Sequence, residues 1–433
     1  MKLKIHRGTN VIGGSCVEVW TAETRIVIDF GLPLVNPDGS QFDTNLLKDK
    51  STAELIASGI LPDISGLYDD NCETKLIISH AHQDHYGLLS YINDSCHIYL
   101  GNATHKLINI SGLFTRNKIE IANPHYFESG NKFIIGDISI TPYLMDHSAF
   151  DAYAFLIEAD GKSLFYSGDF RVHGRKAKAF YWFSHQIKNP VDYLLLEGTT
   201  IGSSTHSSTS EAEIEEKLIQ VFKETKGINV IYTSGQNIDR LVSIFRACRR
   251  TGKILALDFY IATVLKELAP GTGLPYPSES FKEIRVFFPK ALSDMIVKKG
   301  HADLLYQFKS YKITKAEITE NQDNIVILIR PSMRNIINEL LKLKRGNLIY
   351  SMWSGYLKEK KTNDFVKRFT DNGYYFKEIH TSGHADSEGL KKMVKALSPK
   401  NIVPIHTFGK NSYHTLFPTS KIVHVKDKDI IEI

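Results

Sequence analysis

The chain has 433 residues, 42% of them hydrophobic and 23% charged, with a formal net charge of +5. This is the composition of a globular protein with room for two or three domains. The basic excess suits a polyanionic partner but is too small to demonstrate one. No stretch approaches the roughly 18 uninterrupted apolar residues of a membrane helix, and Met1–His6 lacks the apolar core of a secretory leader. The four cysteines are scattered and contain no Cys-x-x-Cys pair. They point to neither a zinc ribbon nor a dense disulfide framework, and so to a reducing cytoplasm.

In chain order, Gly13–Val19 and Arg25–Gly31 read as strands joined by a turn at Ala22-Glu23. Asp29, ending the second strand, is either a turn-former or an acceptor that orients a nearby histidine. Residues 33–74 are loop-rich, with a turn at Asn36–Ser40 and a helix near Ser51–Ser58. Lys75–Ile78 is a short apolar run typical of a buried strand. It delivers Ser79-His80-Ala81-His82-Gln83-Asp84-His85-Tyr86-Gly87, and Leu88–Ile92 reads as a helix. Side chains two apart on extended backbone point the same way, so His80 and His82 can hold one ion. Asp84 and His85 lie past the bend, aimed at a second. A strand at His97–Leu100 follows.

Ile138–Tyr143 alternates like a strand and leads to Asp146-His147. A hairpin of Ala152–Glu158 and Ser163–Tyr166 delivers Gly168-Asp169, where glycine permits a close turn. Tyr193–Leu196 ends in Glu197-Gly198-Thr199-Thr200. The polar run Ser203–Thr209 reads as a linker, and Ser210 with Glu213 forms a capping box. A βαβ rhythm from Ile201 to Lys344 then predicts a second, mostly parallel sheet. The rhythm continues in the last stretch, where two strand ends carry Ser382-Gly383-His384-Ala385-Asp386 and Pro404-Ile405-His406. Short strands at Lys421–Val425 and Ile430–Ile433 close the chain.

A dinuclear zinc site needs about seven or eight protein ligands. His80, His82 and His147 can serve one ion, Asp84, His85 and His406 the other, and Asp169 can bridge them. Each alone is an ordinary polar loop residue, but all seven lie at or near predicted strand ends, which can converge on one edge.

The series His80-x-His82-x-Asp84-His85, His147, Asp169, with Asp29 first, resembles the motif ladder of the metallo-β-lactamase hydrolases. Glu197 in Leu-Leu-Glu-Gly-Thr-Thr, His384 in Ser-Gly-His-Ala and His406 in Val-Pro-Ile-His resemble three further motifs of the β-CASP nucleases. These include ribonuclease J and the cleavage/polyadenylation endonuclease. The resemblance implies an α/β fold, a metallo-β-lactamase αββα sandwich with an inserted β-CASP α/β domain. Its first part would be residues 1–200, the insertion 201–345 and its second part 346–433. It implies two Zn²⁺ per chain, with Mn²⁺ as an alternative. It also implies RNA as substrate, with single-stranded DNA as an alternative, no membrane partner, and a homodimer by analogy.

The catalytic set would be Asp84, Glu197 and His384, with His384 assisting the departing ribose oxygen and Glu197 holding it charged. Ser234, Asn237 and Arg240 at a helix start, with Ser382 and Gly383, are candidates for backbone contact. A routine helix cap is the competing account of the first three. Trp353 and Tyr356 could stack on bases or as easily sit in a core or interface, and Lys358, Lys360, Lys361, Lys367 and Arg368 could meet phosphates or simply form a solvated face. Asp386 stands where ribonuclease J has a phosphate-holding serine, and 27 residues follow His406. The reading is therefore a form without that enzyme's C-terminal domain, with endonuclease and 5′–3′ exonuclease action both open. Rivals are a DNA-directed nuclease, a small-molecule metallo-hydrolase and a non-catalytic RNA-binding scaffold.

Overall fold

The computed structural model describes residues 1–36, 38–115, 118–202, 208–343 and 346–433. Residues 203–207 of the polar run, Pro37 of the first turn, and residues 344–345 at the expected domain return lie outside the described residues. The chain forms two compact units. One comprises Met1–Asn109, Lys118–Ser208 and Gly383–Ile433, the other Ile110–Asn117 and Thr209–Ser382.

Strands are numbered in chain order. The first unit contains β1 (Lys2–Arg7), β2 (Cys16–Trp20), β3 (Arg25–Ile28), β4 (Lys75–Ile78), β5 (His97–Leu100) and β6 (Asn123–Tyr126), followed by β7 (Phe133–Ile135), β8 (Ile138–Met145), β9 (Ala152–Ala159), β10 (Lys162–Tyr166) and β11 (Tyr193–Glu197). The second contains β12 (Asn229–Tyr232), β13 (Ile254–Asp258), β14 (Ile284–Phe287), β15 (Ile325–Leu328), β16 (Asn347–Tyr350) and β17 (Tyr375–Glu378). β18 (Asn401–Ile405) and β19 (Ile430–Glu432) return to the first unit.

The first unit has two sheets, ordered β19-β1-β2-β3-β4-β5-β6 and β18-β11-β10-β9-β8-β7. Every second residue of the facing strands enters one core: Val17 and Val19, Ile26 and Ile28, Ile138 and Ile140, Phe155 and Ile157, Leu164 and Tyr166. That period of two is the strand repeat, and it packs the sheets face to face. The outward side chains of the second sheet, including Tyr143, Phe165, Leu194 and Leu196, pack against Phe180 and Phe183 and against Leu390 and Met393. Those four sit on the helices Ala177–Ser184 and Ser387–Leu397. The architecture is the αββα sandwich.

The second unit has one six-stranded sheet, ordered β14-β13-β15-β12-β16-β17, with every pairing parallel. Its inner strands run almost wholly apolar, as strands buried on both faces do. Its bounds correct the sequence reading. The return was placed at residue 346, but β16 pairs with β12 and β17 with β16. The insertion therefore keeps two further strands and ends at Ser382.

The structure also pairs two of the four cysteines. Cys72 and Cys96 form a disulfide. Each lies just upstream of its strand, and the parallel pairing of β4 with β5 (Leu76 opposite Ile98) brings them side by side. Cys16 and Cys248 are buried free thiols. Among the described residues, no helix is long and apolar enough to cross a membrane. Lys421–Val425 is not a strand, making only a bridge of Ile422 to Ile402.

Candidate metal centre

The site residues gather at the C-terminal ends of β3, β4, β8, β10, β11 and β18. After β4 the chain bends at Ala81, His82 is extended, and the helix Gln83–Tyr86 follows, carrying Asp84 and His85. Asp29, Gly168 and His406 all have positive φ, at 60°, 52° and 50°. Glycine adopts this conformation freely, whereas aspartate and histidine pay for it in strain, a feature that clusters at functional sites.

Three groups of donors form. His80, His82 and His147 make the first, Asp84, His85, Asp169 and His406 the second, and Asp169, Glu197, His384 and His406 the third. Within each group the donor atoms lie within 4.8 Å of one another. Asp169 Oδ2 is 3.2 Å from His85 Nε2 and 3.9 Å from His80 Nε2, so it reaches both ligand sets.

Hydrogen bonds fix which ring nitrogen of each histidine is left for a ligand. Asp29 accepts from the Ser79 N–H at 2.7 Å, the Ser79 hydroxyl at 2.8 Å, the Tyr166 hydroxyl at 2.7 Å and His85 Nδ1–H at 2.7 Å. With its proton committed to Asp29, the Ser79 oxygen accepts His80 Nδ1–H at 3.0 Å. His147 Nδ1–H donates to the Gly383 carbonyl at 2.6 Å, and His406 Nδ1–H to Thr199 Oγ1 at 2.8 Å. His80 Nε2 is left buried with no hydrogen-bond partner. His147 Nε2 and His82 Nδ1 face each other at 3.2 Å.

An orphaned buried imidazole nitrogen, and two more aimed at one point, are what a metal would satisfy. Imidazoles with carboxylates are a zinc donor set. Burial holds His80 and His147 well below the usual imidazole range and His82 down at about 4, so all three are neutral, as ligands must be. Burial pushes Asp84 the other way, but His85 and His406 overcome it and hold the carboxyl at about 2.

His384 lies beside this cluster, its Nδ1 3.4 Å from Glu197 Oε2 and 3.7 Å from Asp169 Oδ2. Burial works to lower its pKa, but Glu197 and then Asp169 outweigh it and hold the imidazole at about 9. Glu197 is itself pinned by the amides of Phe170, Thr199 and Ala385. The Glu197 side chain is 0% exposed and that of His384 21%.

The remaining sequence candidates have other uses. Arg240 is 0% exposed, and its guanidinium is held by Glu211 at 3.0 and 3.1 Å and by Ser351. It cannot reach a phosphate. The Asn237 side chain accepts from the Arg240 amide and the Ser234 hydroxyl from the Gln236 amide, so a routine cap accounts for both. Gly383 supports His147. Ser382 belongs to the second unit. The Asp386 carboxylate accepts from the Gly389 and Ser208 amides at 2.9 Å each, capping the helix Ser387–Leu397. Sequence reasoning missed Tyr166, Ser79 and Thr199 as supports. Ser79 and Thr199 at least lie inside the motifs, whereas Tyr166 carries no signal beyond a strand aromatic.

Residues 74–233 match a family described as a beta-lactamase superfamily domain, and residues 376–410 one described as a Zn-dependent metallo-hydrolase RNA specificity domain. The two matches support a metallo-β-lactamase protein of the ribonuclease J-like β-CASP kind. It is similar to ribonuclease J of Helicobacter pylori, 23% identical over 408 residues, covering 92% of this chain and 55% of that protein. Ribonuclease J of Sinorhizobium meliloti is 22% identical over 360 residues, covering 80% of this chain and 60% of its own. The chain thus spans little more than half the length of these relatives. A crystal structure of a protein of unknown function from Enterococcus faecalis shares the fold, with a TM-score of 0.76, 20% identity and 99% coverage of both chains.

Proposed function

We propose that the chain is a zinc-dependent ribonuclease that hydrolyses RNA phosphodiester bonds, with endonuclease and 5′–3′ exonuclease modes both compatible. The observation that carries this is the sharing of Asp169 between two ligand groups and the Glu197–His384 pair. RNA as substrate draws support from the matched RNA specificity domain and the ribonuclease J relatives. Cytoplasmic RNA is the proposed pool. Single-stranded DNA as a lesser substrate and a homodimeric state belong to the same reading.

His80, His82 and His147 would hold one zinc, Asp84, His85 and His406 a second, and Asp169 both. Zinc bound there supplies Lewis acidity, activating water near neutral pH and neutralising phosphate charge. The protein's own contribution is the disposition of its protons. Asp29, directly for His85 and through Ser79 for His80, turns the bare nitrogens of both inward. Glu197 keeps His384 protonated and fixed. As the exposed member of the pair, His384 can hand its proton to the departing ribose oxygen.

Incubation with RNA labelled at the 5′ end, as monophosphate and triphosphate, tests the reading. Released mononucleotides indicate exonuclease action and internal fragments endonuclease action. Cleavage of matched single-stranded DNA with RNA left intact would overturn the substrate assignment. Sedimentation checks the dimer.

A further inference from the structure

The segment Trp353–Lys361 lies within the unit spanning Thr209–Ser382 and plays no part in the metal centre. Trp353 is 62% exposed and Tyr356 40%. Large apolar rings at such exposure are held out of a core at a cost that solvent does not repay. The backbone that carries them is hydrogen-bonded. The Trp353 carbonyl accepts from the Tyr350 hydroxyl at 3.0 Å and the Tyr356 amide at 3.1 Å, at the start of the 3₁₀ helix Ser354–Lys358. Residues three apart eclipse in a 3₁₀ turn. The indole and phenol accordingly meet edge to face, with centroids 5.3 Å apart and planes at 87°.

Gly355 lies beneath the indole, where a Cβ would strike three ring atoms. The ring therefore rests on backbone, meets Tyr356 at an edge and is otherwise open to solvent. Directly after it, Lys358, Lys360 and Lys361 are all exposed, with Glu359 the only acid in the segment. Among the described residues, none of these lysines makes an ion pair. Protein–protein interface cores are depleted in lysine. Exposed rings flanked by unpaired ammonium groups instead match the chemistry of single-stranded nucleic acid, which offers stacking faces and phosphates together.

We propose that Trp353 and Tyr356, with Lys358, Lys360 and Lys361, form a sequence-tolerant subsite for single-stranded RNA. Bases stack on the two rings, and the ammonium groups neutralise backbone phosphates. The proposal rests on the ribonuclease reading above and adds to it a binding element outside the metal centre.

The test uses the full chain, chelated to prevent cleavage, and fluorescein-labelled oligouridine of about 20 nucleotides read by anisotropy. Trp353→Ala should weaken binding about tenfold, and Tyr356→Ala and Gly355→Ala should weaken it in the same direction. Replacing the three lysines by glutamine should flatten the salt dependence of log K by about two. Zinc-loaded variants should hydrolyse bis(p-nitrophenyl) phosphate at the parental rate. If the parent binds and cleaves RNA but the variants bind equally well, the subsite is overturned and the ribonuclease reading stands. If the parent neither binds nor cleaves RNA, both fail. Variants that shift a dimer to a monomer with unchanged RNA affinity would assign the rings to a second copy, and so also overturn the subsite. The lysine variant, which alters no packed side chain, keeps the test decisive even if Trp353→Ala misfolds.

Discussion

Asp29 holds His85, its Oδ2 accepting the imidazole Nδ1–H at 2.7 Å while Nε2 on the other side faces Asp169 Oδ2 at 3.2 Å. Three further donors, two from Ser79 and one from Tyr166, converge on the same carboxylate. The backbone at Asp29 is left-handed, with φ at 60°, a conformation that asparagine tolerates and most residues do not. Asp29→Asn therefore keeps the turn but weakens the acceptor. It should lower zinc affinity about 10- to 100-fold with an unchanged circular dichroism spectrum, as measured by competition against a chelator. Unaltered affinity would remove the orienting role.

The Glu197–His384 pair gives a pH signature. In the metal-free protein, His384 should titrate near pH 9, above the ordinary imidazole value of about 6.5. Because the folded-state value is raised, its stabilising contribution is complete below about 6.5 and is lost as pH rises through 9. Glu197→Gln removes the largest upward influence and leaves burial less opposed. The His384 signal in an NMR titration should move to lower pH, and the alkaline loss of stability should begin earlier. His384→Ala should retain zinc and lose about 10²- to 10⁴-fold in turnover. Full turnover in that variant would end the proton-donor role.

The residues that gather into the three donor groups were legible because their chemistry is local to motifs at strand ends, and a strand end is the part of an element that sequence places best. Residues whose role depends on distant pairing were not. β16 and β17 belong to the inserted sheet because β16 lies beside β12, more than a hundred residues upstream, and apolar periodicity carries no record of the neighbour. Cys72 and Cys96 meet only through the parallel register of β4 and β5. Tyr166 reads as one more core aromatic, since nothing nearby announces that its hydroxyl reaches Asp29.

Gly383 offers a test of how the first ligand group is assembled. Its carbonyl fixes the His147 ring, and a Cβ there would run into the Ser148 hydroxyl and also its Cβ at 2.8 Å, which no rotation of the hydroxyl clears. The change cannot be absorbed without displacing the segment that carries the acceptor. Gly383→Ala should therefore weaken one zinc about 10-fold or more and leave the other close to parental affinity. The parent should carry close to two zinc ions per chain by elemental analysis. Parental stoichiometry and affinity in the variant would mean that His147 is held by other means.

Arg240 makes the complementary case, a basic residue at a helix start that serves the fold. Its guanidinium forms a two-point pair with Glu211, and both side chains are 0% exposed. Ser243 also donates to Glu211 at 2.8 Å, so the carboxylate is shared within one buried network. Removing one partner of such a pair strands the other charge out of water, which costs about 3–5 kcal/mol. Glu211→Gln should therefore lower the urea midpoint by a corresponding amount. RNA affinity, measured where the variant is still folded, should stay parental, because Arg240 meets no ligand. Loss of RNA binding with stability intact would instead restore the phosphate-contact role that its position at the helix start first suggested.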